Sequence, residues 1–173
     1  MPRRFTPAQL WVLTVAALLA LTGCSADQPE PAPATIGTQA EVCAARVDTV
    51  KADAVIDQPV ADLHQLNTFT ADSRAGECAL VAADGGALLS VAVVHDVKGT
   101  KLSAELELLS TQENYSGTDT SGVTGEGITT TALVAIDAAY YVRVMGLGGT
   151  SDEQRSSALA LAEDVAARTK PIK

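Results

Sequence analysis

The stretch Glu77-Cys78-Ala79-Leu80-Val81-Ala82-Ala83-Asp84-Gly85-Gly86-Ala87-Leu88-Leu89-Ser90-Val91-Ala92-Val93-Val94-His95 decides the fold. Two apolar runs flank Asp84-Gly85-Gly86. Asp-Gly between such runs is a favoured hairpin turn, because glycine takes the positive φ the turn requires. In the first run, Glu77 to Ala83, the side chains of Cys78, Leu80 and Ala82 share one face. In the second, Ala87 to His95, Leu89, Val91 and Val93 alternate with Ser90 and Ala92. A period of two predicts an antiparallel pair with one face on a core.

Downstream, Lys101 to Glu113 carries two patterns. Leu102, Leu106 and Leu109 fit a helix, while Leu102, Ala104, Leu106 and Leu108 fit a strand. Its Leu, Ala and Glu content favours the helix, since strands are poor in Glu. Asn114 to Gly127, with Gly117, Gly122, Gly125 and Gly127, reads as a polar loop whose glycines serve turns. Ile128 to Ile136 and Ala139 to Met145, separated by Asp137-Ala138, form a second hairpin with Tyr140, Val142 and Val144 on one face and Tyr141 and Arg143 on the other. Ser151 with Gln154 makes a capping box for a helix from Asp152 to Arg168, with Ala158, Leu161, Ala162 and Val165 inward. Acidic residues in its first turn and Arg168 in its last suit the helix dipole, and Pro171 stops it.

Upstream, Thr38-Gln39-Ala40-Glu41 is another capping box, followed by Cys43, Val47, Val50 and Ala54 as the inner face of a helix that Pro59 ends. Leu66 to Thr70 is a short strand candidate. Together these elements predict a single α+β domain over residues 39–173, with an antiparallel sheet of about five strands and the N- and C-terminal helices packed on one side.

Ahead of that domain, residues 1–23 carry Arg3 and Arg4, then an apolar run from Leu10 to Leu21. The run falls short of the ~20 residues of a spanning helix, which points to a removable signal peptide. Leu21-Thr22-Gly23-Cys24 resembles a bacterial lipobox, the pattern at which a cysteine thiol is diacylated and the chain is cut before it. By that resemblance Cys24 becomes the lipid-bearing first residue of the mature chain, where two or more acyl chains hold stably and one alone anchors only marginally. Residues 24–38 then form a tether in which Pro29, Pro31 and Pro33 favour an extended polyproline path. The expected location is the extracytoplasmic face of the cell membrane, held by the lipid on Cys24.

The whole chain has 173 residues and a formal charge of −9. Without Arg3 and Arg4 the 12 basic groups fall to 10 against 21 acidic ones, a charge of −11. Such acidity excludes a nucleic-acid partner, which demands a basic face, and disfavours electrostatic adhesion to anionic lipid. Only Phe69, Tyr115, Tyr140 and Tyr141 remain as aromatics after residue 23. So few aromatics argue against base-stacking platforms and aromatic-rich ligand pockets.

Two further cysteines, Cys43 and Cys78, form an even pair in an exported chain, where disulfides persist. A disulfide between them is expected; a nucleophile or metal pair is the weaker reading, because no Cys-x-x-Cys is present. Other candidate chemistry is sparse. His95-Asp96 offers a general base with an orienting carboxylate, and Asp62-x-His64 falls short of the three ligands of a catalytic zinc site. No Gly-x-Ser-x-Gly elbow is present, and Gly122 to Gly127 lacks the lysine of a phosphate loop. Asp72-Ser73-Arg74 with Glu77 reads as a solvated loop. These residues imply no cofactor, no metal and no catalytic group.

In order, the lipobox, the tether, a helix with Cys43, Gly76-Glu77-Cys78 before a Val/Leu strand, Gly125-Glu126-Gly127 before Thr-rich Ile128 to Ile136, and an Ala-rich closing helix resemble the actinobacterial lipoproteins grouped as domain of unknown function 3558. The resemblance spans about residues 20 to 168. It matches Cys43 and Cys78 to the family's paired cysteines and Gly125 and Gly127 to its Gly-x-Gly turn, while Ala79-Leu80 stands where such proteins often carry an aromatic. It implies a secreted envelope lipoprotein without established catalysis. The expected function is therefore a non-catalytic, membrane-tethered binding domain with an envelope-protein or cell-wall partner. The alternatives are a carrier or sensor of a small apolar ligand or lipid held between sheet and helices and, third, a hydrolase using His95 or His64.

Overall fold

The computed structural model describes residues 43–67, 74–85 and 88–169. The signal peptide, Cys24, the tether, the capping box at 38–41, Phe69 and Gly86 of the first hairpin lie outside the described residues. A helical turn at 43–46 leads into α1 (Thr49–Ile56), then β1 (Val60–Asn67), β2 (Gly76–Ala82), β3 (Leu88–His95), α2 (Lys101–Ser110), β4 (Ser116–Gly117), β5 (Ser121–Glu126), β6 (Thr129–Asp137), β7 (Tyr140–Leu147) and α3 (Asp152–Arg168). The described strands form one antiparallel sheet in the order β1-β2-β3-β7-β6-β5-β4. Two meanders, β1 to β3 and β4 to β7, are thus joined side by side through β3 and β7.

The first hairpin has the expected alternation. Cys78 opposes Val91 and Leu80 opposes Leu89, so both runs send these side chains to one face. On that face Val142 and Val144 of β7 and Ala132 of β6 meet Val55 and Ile56 of α1 and Ala158, Leu161, Ala162 and Val165 of α3. All of these are buried. The fold is therefore α+β, with the N- and C-terminal helices on one side of the sheet. The closing helix spans Asp152–Arg168 with the Ser151–Gln154 capping box formed in both directions.

Three elements depart from the sequence expectation. The upstream helix is not continuous: the Asp48 side chain accepts from the N–H groups of Val50 and Lys51 and starts a new helix. That restart shifts the phase. Val50 is 75% exposed, Ala54 is exposed, and Ala52, Val55 and Ile56 turn inward instead, with Cys43 and Val47 keeping their expected burial.

The strand expected at Leu66 to Thr70 begins six residues earlier, at Val60, whose N–H donates to the Asp53 carboxylate at 2.7 Å. Ala61, Asp62, His64 and Leu66 are exposed along this sheet edge, so no apolar alternation marked it.

The expected polar loop at Asn114 to Gly127 contains β4 and β5, which brings the sheet to seven strands rather than about five. Only Gly127 serves a turn, at φ 59°. Gly122 sits where an added Cβ would meet Tyr115 Cε2 at 2.7 Å and Leu106 Cδ2 at 2.9 Å, and at Gly125 it would meet Thr150 Cβ at 2.7 Å. Those glycines are packing residues inside a strand.

The chain takes the helical option at 101–110. α2 lies on the face opposite α1 and α3, where Leu106 and Leu109 close over Leu133 and Tyr141, with Leu102, Val94 and Tyr115 at the margin. Alternation on the strands explains the division: Ala132 and Val142 face the large core, their neighbours Leu133 and Tyr141 the small one.

Candidate functional site

A cleft of about 370 Å³ opens at the end of the sheet where β3 leaves for α2. Its walls come from the 96–103 segment, the β4–β5 turn at Asp119 and Thr120, and the β6–β7 turn with Tyr140 and Tyr141. Each wall is fixed by local chemistry. Thr100 precedes α2 but makes no side-chain cap. Asp96 does so from four residues upstream, its carboxylate accepting from the N–H groups of Thr100 at 3.1 Å, Lys101 at 2.6 Å and Leu102 at 3.1 Å. Burial pushes this carboxyl up, but the amides of Leu102, Lys101, Thr100 and Gly99 outweigh it and hold its pKa below the usual range.

The β6–β7 turn is held by Asp137, which accepts from the Ala139 N–H at 2.9 Å and from Arg74 Nη1 at 2.7 Å. The Ala139 amide and Arg74 keep Asp137 in its charged form against the opposing effect of burial. The Arg74 guanidinium lies over the Tyr140 ring at 4.2 Å, and the His95 ring stacks on the same tyrosine at 4.5 Å with planes 6° apart. Arg46 Nη1 donates to the Arg74 carbonyl at 3.2 Å; burial and the nearby Arg74 charge both lower the Arg46 pKa.

Behind the cleft, Tyr141 Oη donates to Glu105 at 2.6 Å, and Arg143 stands 3.6 Å from the same carboxylate. Burial, then the hydrogen bond to Glu105, pushes the Tyr141 phenol up, so it stays a proton donor over the physiological range.

Of the two pairings the sequence offered, the structure divides His95 from the Asp96 carboxylate and brings Asp62 and His64 together at the surface. Asp96 gives its carboxylate to the first turn of α2 and does not orient His95, which lies exposed against Tyr140. His64 Nε2 is 3.0 Å from Asp62 on the outer strand, with both side chains more than half exposed. His64 opposes Ala79, and Ala79 opposes Ser90, which places His95 five residues further along and two strands away.

Arg74, expected in a solvated loop, is half-buried in its ion pair, and Glu77 Oε1 accepts from Ser90 Oγ at 2.6 Å. Asp72 and Ser73 lie outside the described residues. Among the described residues no three His, Cys, Asp or Glu side chains gather as a metal-ligand set, and no helix is long and apolar enough to cross a membrane. Cys43 and Cys78 form the expected disulfide, with Cα atoms 5.9 Å apart.

Sequence reasoning missed the Arg74–Asp137–Tyr140 assembly, whose ion-paired members are 63 residues apart. It also missed the Tyr141–Glu105 pair, although the placing of Tyr141 opposite Val142 on the strand was legible. Fold and site together define a single-sheet α+β domain with a cleft at one end of the sheet. No family model, curated protein or solved structure matches the chain.

Acid sensitivity follows from these carboxylates and from Asp164, whose pKa is lowered by the Lys51 ammonium at 2.8 Å and by Arg168 at 2.7 Å, against the effect of burial. A carboxyl with a folded-state pKa below its unfolded value of about 4 adds stability that is complete above that value. The contribution is lost as pH falls through the folded-state pKa. Denaturant unfolding at about pH 7, 4 and 2 should therefore show little loss over the first interval and a steep loss over the second. Equal stability at the two lower values would contradict these assignments.

Proposed function

We propose that the chain is an envelope lipoprotein, anchored through acyl chains on Cys24 and raised from the membrane by the tether at residues 24–38. Its domain is a non-catalytic binding module for an envelope protein or cell-wall partner. The observation that carries this reading is the order in the sequence of a basic and apolar leader, Leu21-Thr22-Gly23-Cys24 and a Pro-spaced stretch.

Two structural facts support it. The Cys43–Cys78 disulfide suits an oxidising compartment. The Asp96 carboxylate is given to the amides of α2 rather than to His95, which favours binding over hydrolysis. The same proposal places the chain with the domain of unknown function 3558 lipoproteins, on the strength of the paired cysteines and the order of segments.

Metabolic palmitate labelling tests the anchor. The wild-type chain should take up label and Cys24→Ala should lose it, moving from the membrane pellet to the soluble fraction. Label retained by Cys24→Ala would falsify the lipobox reading. Cross-linking on intact cells tests the module, which is refuted if no partner is joined to the domain.

A further inference from the structure

We propose that the outer edge of β1 is the contact surface for a second copy of this chain, the two edges pairing antiparallel about a two-fold axis at Leu63. β1 (Val60–Asn67) ends the sheet on one side and the two-residue β4 ends it on the other. Among the described residues no strand pairs with the outer side of β1. An open edge of eight residues is a template for another strand, and β1 carries neither the Lys nor the Pro that commonly blunts one. β4 is too short to serve. The Leu63 amide marks the outward direction: its N–H donates to the exposed Asp62 carboxylate at 2.8 Å, off the side of the strand away from β2.

The occupant follows from the charges. Asp62 and His64 flank Leu63 and are 61% and 53% exposed in their side chains. With Leu63 set opposite the partner's Leu63, Asp62 stands opposite the partner's His64, and His64 opposite the partner's Asp62. Moving the axis by one residue destroys the match, because it sets His64 against His64 or Asp62 against Asp62. Within one chain His64 Nε2 already lies 3.0 Å from Asp62. On pairing, the same two groups exchange partners across the axis. Asp62 then releases the Leu63 N–H, which donates to the carbonyl of the partner's Leu63.

The edge also limits itself. Register shifts at Val60/Asp62 and Gln65/Asn67 bracket the regular run. Bulges of this kind terminate pairing, so two copies close into a dimer and no longer ladder grows from it. So short a contact is weak between free molecules. The anchor proposed above supplies the missing concentration, since two chains held on one membrane meet far more often. To that extent the dimer rests on the lipoprotein reading, which palmitate labelling decides separately.

The experiment uses two full-length chains with different epitope tags, one carrying Asp62→Cys and the other His64→Cys, made in the same cells and oxidised at the cell surface with copper phenanthroline. Directly opposed residues of a non-hydrogen-bonded pair have Cα atoms about 4.5 Å apart, within reach of a disulfide. The mixed cells should therefore yield a linked product bearing both tags. It should exceed by about fivefold the product of either variant alone, whose cysteines sit on a diagonal of roughly 7–8 Å. Both positions are exposed, so neither change threatens the fold. Asp62→Lys and His64→Asp, made in chains that keep the tags and linked through amines, should each lower self-linking several-fold. Mixing those two should restore it, because the introduced lysine then faces the introduced aspartate.

Absence of the doubly tagged product would overturn the assignment. So would either cysteine variant linking to itself as readily as to the other, or linkage of β1 to a different envelope protein. A chain that takes up palmitate yet shows one of these outcomes refutes the dimer alone.

Discussion

Replacing both Cys43 and Cys78 with alanine is expected to lower the stability of the domain by about 4 kcal/mol, from the entropy of an unfolded chain no longer closed over that loop. The two cysteines are 35 residues apart in sequence and are both fully buried. The link ties the helical turn at 43–46, which leads into α1, to β2. That position magnifies its importance. α1 has only eight residues, too few to persist by themselves, since isolated helices below ~12–15 residues are marginal in water.

The disulfide, the burial of Ala52, Val55 and Ile56, and the ion pairs of Lys51 with Asp164 and of Asp48 with Arg168 on α3 together hold α1 in place. With Tm moving by about 3–5 °C per kcal/mol for a domain of this size, the midpoint should fall by roughly 10–20 °C. Thermal unfolding followed by circular dichroism, with wild type in the presence and absence of reductant beside the double variant, measures it. A loss below about 1 kcal/mol would mean that the unfolded chain already keeps this loop compact.

That expectation rests on a pairing legible once Cys24 is set aside for the lipid and two cysteines remain in an exported chain, and other parts of the fold were legible for local reasons. The hairpin at Glu77 to His95 and the helix Asp152–Arg168 are encoded by neighbours: a turn dipeptide, a period, a capping box. What was not legible depended on distance.

Gly122 and Gly125 look like turn residues until the partners that crowd them, Tyr115 and Thr150, are brought alongside. Asp48 looks like one more polar residue on a helix face until its side chain turns back to cap Val50 and Lys51. β1 carries no alternation because it is a sheet edge, held at its start by Asp53. The site was the least legible part. Asp96 beside His95 suggested a catalytic pair, because adjacency in sequence was the only information available. The competing demand of four unsatisfied amides at the start of α2 settled the direction of the carboxylate.

The unequal thickness of the two cores gives the second large effect. On one face some twenty buried residues join α1 and α3 to the sheet. On the other, four buried side chains, Leu106, Leu109, Leu133 and Tyr141, hold α2 in place. Leu133→Ala empties the centre of that thin layer. A fully buried leucine truncated to alanine costs about 2–5 kcal/mol, through lost transfer energy and an incompletely collapsed cavity.

Since α2 has few other apolar attachments, much of the damage should fall on it. Amide exchange across Lys101–Ser110 should quicken by far more than across α3, because α2 can leave the sheet by a local opening while the large core stays closed. Leu108→Ala is the control: this residue is 66% exposed on the outer side of α2, and its truncation should change stability by less than about 0.5 kcal/mol. The cleft wall at Leu102 and Ser103 belongs to the same helix, so Leu133→Ala should also broaden the amide signals of residues 99–103. If exchange in α2 and α3 instead accelerates equally, the two faces unfold as one unit and the thin layer does not hold α2 independently.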